Sequence, residues 1–229
     1  MREALRDALA LALPTQCSGC GRDDRALCAA CRAALAPHPH AIVVGDGALT
    51  VWSGLDYEGV CRRVLPAFKD GGRTDAASAL AAPLRAAVAA AVTATGSPLH
   101  LAANAAPPAA ARPAIHLAVI PSTRQSLRRR GYHPVSLVLA HAGLRAERAL
   151  KPLRQTLDQA GLGLVDRAQN RRGSLAATAF AAGRSWLIVD DILTTGATLL
   201  EARRALVQVG AHVVGAAVIA YTRRLSKPP

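Results

Sequence analysis

The chain has 229 residues, 51% of them hydrophobic and 19% charged, enough to bury the core of one α/β domain with a small accessory module and too apolar for general disorder. Lys plus Arg number 28 against 15 Asp plus Glu, a formal charge of +13, which favours polyanionic partners: nucleic acid, phosphate esters or anionic lipid. With 2 Phe, 3 Tyr and 2 Trp, the composition argues against the platform of stacked rings on which RRM- and OB-type modules hold bases.

Residues 1–16 place Arg2, Arg6 and Asp7 before a short apolar stretch, Ala8 to Leu13. That stretch is short for a secretory signal, and Gln16 and Cys17 stand where small cleavage-site residues belong. It reads as a short amphipathic helix, and a cytoplasmic protein is the expectation. The longest apolar runs, such as Ala86 to Val92, fall short of the roughly 18 residues of a membrane span, so no transmembrane helix is expected.

Four cysteines follow in CSGCGRDDRALCAAC: Cys17, Cys20, Cys28 and Cys31. Two C-x2-C pairs are what a tetrahedral thiolate site requires, and a site filled by four cysteines has no open position, so a structural zinc is expected. Two disulfides, or four buried thiols, are the alternatives; disulfides need an oxidising compartment. So short a module has little core of its own, and metal would supply its stability. Cys61, alone between Val60 and Arg62, reads as a buried core thiol. His38 and His40 lie beside a tetrad already complete, so PHPH reads as a linker, and the module is expected to span residues 1–40, with the main domain over 41–229.

Two β-rich runs flank Gly45-Asp46-Gly47, a hairpin signal. Tyr57 to Phe68 and about Thr74 to Val92 read as helices, broken by Gly71-Gly72. The Pro/Ala-rich segment Gly96 to Pro113 reads as a surface loop. HLAVIP is a short strand, and a helix is expected from Pro134 to Arg148. The end of the chain gives a strand over Ser185 to Asp190, a helix over Thr198 to Val209 and a strand over His212 to Ala220. That βαβ order implies a parallel sheet and a doubly wound α/β fold.

Within it, Trp186 to Val189 suits a strand buried on both faces. Asp190 and Asp191 follow at its carboxyl end, where such folds place ligands. Thr194, Thr195, Gly196, Ala197 and Thr198 then form a tight loop into a helix, offering amides, hydroxyls and a helix N-terminus to a monophosphate. Two carboxylates beside that nest suit the vicinal hydroxyls of a sugar, and a bound Mg²⁺ would offset their charge. Upstream, VIPSTRQSLRRRGYHP puts Pro121 and Ser122 at a strand end and Arg128, Arg129 and Arg130 just beyond. The segment from Pro121 to Gly173 carries +8 of the +13, aimed at pyrophosphate or a nucleic-acid backbone, or simply solvated.

Two acids and TTGAT after a hydrophobic strand resemble the PRPP-binding motif of type I phosphoribosyltransferases. The whole order resembles the ComF family of competence-associated, phosphoribosyltransferase-like proteins. The cysteine knuckles, YEGVCRRVLPAFKDGG around Lys69, RRRGY, Arg154, Thr156 and Gln159 of an RxTxxQ element, Arg167, Asn170, Phe180 and IVDDILTTGAT carry that resemblance. Where the family commonly has Asn after RG-aromatic, often followed by Gln or His, this chain has His133 and Pro134.

The resemblance implies a type I phosphoribosyltransferase-like (Rossmann-like) parallel sheet with helices on both faces. It implies that Asp190 and Asp191 take the ribose hydroxyls and Thr194–Thr198 the 5′-phosphate, with Pro121 and Ser122 flanking. An active site of this kind would displace pyrophosphate from PRPP with Mg²⁺ and cationic help from Arg130 or its neighbours. Members of the family are associated with natural transformation, so single-stranded DNA and cytoplasmic competence proteins are the implied partners. An idle cradle that only binds PRPP or a 5′-phosphorylated nucleotide is the alternative to an enzyme.

Overall fold

The computed structural model describes residues 16–23, 27–99, 113–153 and 173–223. A short helix, α1 (Ala29–Ala33), precedes a hairpin of β1 (His40–Val44) and β2 (Leu49–Asp56). Helices α2 (Gly59–Lys69) and α3 (Ala77–Thr95) lead to β3 (Ile115–Val119), α4 (Arg124–Arg130) and α5 (Pro134–His141). After a small antiparallel pair, β4 (Leu150–Pro152) and β5 (Leu175–Ala177), come β6 (Ser185–Leu193), α6 (Ala197–Gln208) and β7 (His212–Tyr221).

The main sheet runs β1-β2-β7-β6-β3. β2, β7, β6 and β3 are parallel, and β1 is antiparallel at one edge, so the sheet is mixed. On one face α3 packs against β2, β7 and α5; on the other α6 packs against β5 and β7. Helices on both faces of an α/β sheet are the expected architecture.

Strand β6 lies in the middle and explains much of the rest. Its side chains alternate between the faces: Leu187 and Val189 belong to the core under α2 and α3, and Trp186 and Ile188 to the core under α6. All four are fully buried, as an apolar run in a central strand should be.

The Thr74–Thr95 stretch is long and apolar enough to cross a bilayer by length and composition, a point the shorter apolar runs of the sequence did not bring out. Its apolarity has a structural use: Leu80, Leu84, Ala87 and Val88 are buried in the sheet-facing core. The contact is close enough to demand glycine. A Cβ at Gly54 would sit 2.2 Å from the Pro83 carbonyl oxygen. Gly54→Ala should therefore destabilise the fold by about 1–3 kcal/mol, read as a lowered urea midpoint; an unchanged midpoint would mean that α3 has room to retreat.

Three expectations need adjustment. The helix from Pro134 ends at His141, not Arg148, because the chain turns through Gly143 (φ +70°), with the Leu144 N–H returning to the Leu139 carbonyl at 2.9 Å. The arginine run, expected just beyond a strand end with no element of its own, is α4, capped by Thr123 Oγ1 accepting from the Ser126 N–H at 3.1 Å. PHPH is not a bare linker, since His40 opens β1 opposite Ser53. Arg154, Thr156, Gln159, Arg167 and Asn170 lie outside the described residues, as do residues 1–15 and most of the Pro/Ala-rich segment.

The cysteine segment is sewn into the α2 side of the sheet. Cys17, Leu27, Cys31 and Leu35 share one core with Cys61, Val64 and Phe68. Arg63 Nε donates to the Gly19 carbonyl, and Arg73 Nη1 to that of Gln16 at 2.8 Å. Cys61 is a buried thiol, pushed up to about 12 by burial and by the Asp56 charge.

Candidate functional site

Past Val189 the alternation of β6 continues and parts the two acids. Asp190 inherits the α6 face, Asp191 the α2 face. The strand runs on through both to Leu193, so they sit within its end and not after it. Two backbone amides there are satisfied by carboxylates: Asp190 Oδ1 accepts from the Asp191 N–H at 2.9 Å and Asp191 Oδ1 from the Ile192 N–H at 2.8 Å.

On the α6 side, Asp190 and the unbroken run Ile192–Leu199 line an open hollow of about 210 Å³, its mouth included. Thr194, Thr195, Gly196, Ala197 and Thr198 all belong to it. Gly196 is the N-cap of α6 with φ +79°, the left-handed region that glycine enters freely. A Cβ there would also lie 3.2 Å from Val44 Cβ at the end of β1. Ala197 follows at the first helical position, its N–H held by Thr195 Oγ1 at 3.3 Å. Such a turn aims amides and the positive end of the α6 dipole outward, where an anion is stabilised. The hollow is open and is lined by one strand end and one turn, so it suits one esterified end of a larger ligand.

Asp191 faces elsewhere. It is buried, pairs with Lys69 Nζ at the end of α2, and is not among the residues lining the hollow. The next residue, Asp70, holds the arginine helix: its Oδ1 accepts from Arg130 Nη2 at 2.8 Å, Arg130 Nε at 3.1 Å and Arg129 Nη2 at 2.6 Å. Tyr132 Oη donates to the Phe68 carbonyl. The Lys69-Asp70 pair thus ties α2 to both β6 and α4. Arg130 is almost covered, with 12% of its side chain exposed.

Pro121 and Ser122 follow β3, the neighbour of β6, and do not line the hollow. The Ser122 N–H is spent on His133 Nε2 at 3.2 Å. Burial holds His133 below the usual imidazole range, against the opposing pull of the Ile120 carbonyl and the Asp191 carboxylate. Of the expected residues, then, the structure gathers Asp190 and Thr194–Thr198 at one hollow. It sets Asp191, Arg130, Pro121 and Ser122 around a second, ion-paired cluster with Lys69, Asp70 and His133. Asp70 is new to the site, and Lys69 and His133 had no role assigned. The only signal for the first two was a Lys-Asp pair closing a helix before Gly71-Gly72.

The four cysteines converge. Their Sγ atoms all lie within 4.8 Å of one another, and Cys20 Sγ is 3.8 Å from Cys28 Sγ, far beyond a disulfide bond. A tetrahedron with arms of about 2.3 Å has edges of about 3.8 Å, so the thiols fit a zinc ion as they stand. Burial raises Cys17, but the amides of Cys28, Cys20 and Gly19 outweigh it and bring the thiol down to about 6. Burial and the neighbouring thiols push Cys31 up to about 12.

Residues 127–229 match the family model described as the phosphoribosyl transferase domain. A comparison with curated proteins gives no match. The matched stretch begins inside α4 and takes in β6, the Thr194–Thr198 loop, α6 and β7, leaving out the cysteine segment and β1–β3. The part of the chain that builds the strand-end hollow is therefore similar to a phosphoribosyl transferase domain.

Proposed function

We propose that the chain binds the 5′-phosphoribosyl group of PRPP, or of a 5′-phosphorylated nucleotide, at the hollow between β6 and α6. The observation that supports it most is the meeting of Asp190 with an amide-rich turn at the start of a twelve-residue helix. The amides and hydroxyls of Thr194–Thr198 take the 5′-phosphate, and Asp190 accepts hydrogen bonds from the pentose hydroxyls. Asp191 joins it on the pentose by exchanging its Lys69 partner, so Lys69 governs when the second acid is available.

Mg²⁺ fits beside Asp190, since it is commonly bound by one or two carboxylates plus substrate phosphates. When bound it would neutralise the charge growing on departing pyrophosphate. In a transfer reaction the rest is positioning and electrostatics. Arg130, released from Asp70, would face the pyrophosphate, with Pro121 and Ser122 flanking it.

In this reading residues 1–40 are a zinc module and residues 41–229 the phosphoribosyl-binding domain of a ComF-like protein. Its setting is the cytoplasmic handling of incoming single-stranded DNA in natural transformation. The charge of +8 between Pro121 and Gly173 supports that setting; the Asp70 pairs of Arg129 and Arg130 spend part of it. An active Mg²⁺-dependent phosphoribosyltransferase is the second reading, supported by the family-model match.

Ribose 5-phosphate and ribose, each titrated by calorimetry, test the cradle: the phosphate ester should bind and the free sugar should not. Equal behaviour of the two would remove the cradle from the proposal. For the DNA setting, log affinity for a single strand should fall against log salt with a slope of about −0.7 per neutralised phosphate, and a flat response would remove it.

A further inference from the structure

His38 and His40 converge not on the cysteines but on Asp56. β1 opens with His40 opposite Ser53, the His38 N–H donates to the Gly54 carbonyl at 3.0 Å, and β2 ends at Asp56. All three side chains therefore meet at the carboxyl edge of the parallel strands. One ligand atom from each lies within 4.8 Å of the others.

Their hydrogen bonds decide which nitrogen faces inward. His40 Nδ1 is 3.1 Å from the His38 carbonyl oxygen, and His38 Nδ1 is 3.4 Å from that of Ala36. A carbonyl only accepts, so in the neutral rings each Nδ1 carries the proton and each Nε2 the lone pair. Both Nε2 atoms point at the carboxylate, His38 at 3.5 Å from Oδ2 and His40 at 3.6 Å from Oδ1. Three electron-pair donors thus meet with like polarity. His38 Nε2 has a partial remedy, a 3.2 Å bond from the Asp56 N–H. His40 Nε2 is buried and has no hydrogen-bond partner among the described residues. Arg223 grips the carboxylate with Nε and Nη2, each at 3.1 Å, yet leaves His40 Nε2 unpartnered, and its side chain is 72% exposed.

We propose that His38, His40 and Asp56 bind a divalent first-row transition-metal ion, at a site separate from the four cysteines. The spacing suits an ion: tetrahedral arms of about 2.1 Å set donor atoms about 3.4 Å apart, each nitrogen lies within a few tenths of an ångström of that from one oxygen of the carboxylate, and one ligand atom from each residue lies within 4.8 Å of the others. Two imidazoles and a carboxylate suit Zn²⁺, Co²⁺ or Ni²⁺. Each ring is already oriented as metal-bound histidines are, with its distal N–H on a carbonyl. The ion displaces Arg223 toward solvent and costs the His38 ring its long amide bond. Three protein ligands leave at least one position open for water or an anionic oxygen. β7 alone separates β2 from β6, and the register sets Asp56 level with Leu193, which places Asp56 about 10 Å across the sheet from the end of β6.

Metal content of the full chain, washed after exposure to excess Zn²⁺, tests this directly. Wild type should retain one equivalent more than His40→Ala or His38→Ala, the latter at an exposed position where folding is not at stake. Co²⁺ taken up in the difference should absorb weakly in the visible without the thiolate charge-transfer bands of the cysteine site. Arg223→Ala should hold that equivalent several-fold more tightly, its competitor being gone. Equal metal content in wild type and the histidine variants, or thiolate bands on the lost equivalent, would overturn the assignment.

Discussion

Removing zinc should open residues 16–35 to protease while the sheet and its helices stay protected. The described part of this segment has one helix of five residues and no strand. It adds Cys17, Leu27, Cys31 and Leu35 to a core whose bulk comes from α2 and α3. Against the ordering cost of some twenty residues, at about 1–2 kcal/mol each, a few buried side chains at about 1.5–3 kcal/mol each are not enough. Zinc on four thiolates, on the order of 10 kcal/mol or more, would be the largest single contribution to holding the segment. Cys17 is already poised as thiolate, whereas Cys31 must give up a proton that burial and its neighbours hold. Cys20→Ser should therefore mimic a chelator, and Cys61→Ala, on α2 and outside the tetrad, should not alter metal content. Protease resistance that survives chelation would show that the segment is held by the α2 contacts alone.

Filling the hollow should have the second large effect. Thr195 is exposed at the turn, so Thr195→Arg leaves the core alone and puts a long side chain where the phosphate is proposed to sit. A phosphate on this turn gains charge-assisted hydrogen bonds worth about 1.5–3 kcal/mol each. Losing two of them weakens PRPP binding about 100-fold or more. Gly196→Ala should also weaken it, because the left-handed backbone costs a non-glycine residue about 1–2 kcal/mol and the new Cβ presses on Val44. Unchanged PRPP affinity in a folded Thr195→Arg protein would place the ligand elsewhere.

The hollow was legible because its parts are contiguous: one buried strand, one turn and one helix within Ser185–Gln208. The separation of Asp190 from Asp191 was legible too, since adjacent residues of a strand face opposite ways; the expected strand ended at Asp190, whereas β6 runs on to Leu193 and carries both acids. The Lys69–Asp191 pair could not be read, because it joins the end of α2 to a strand far along the chain. The same holds for Asp70, whose partners lie 59 and 60 residues away, and for His38 and His40, whose meeting with Asp56 depends on the hairpin register. The expected helix from Pro134 runs past the true end of α5 because Gly143, in the left-handed region, turns the chain where the apolar pattern alone would carry the helix on.

Calorimetric titration of PRPP with Mg²⁺ into wild type and Asp190→Asn, side by side, reaches the centre of this account. One saturable site per chain, weakened about tenfold or more in the variant, is the predicted result. No binding to wild type, or equal binding to both proteins, would contradict it.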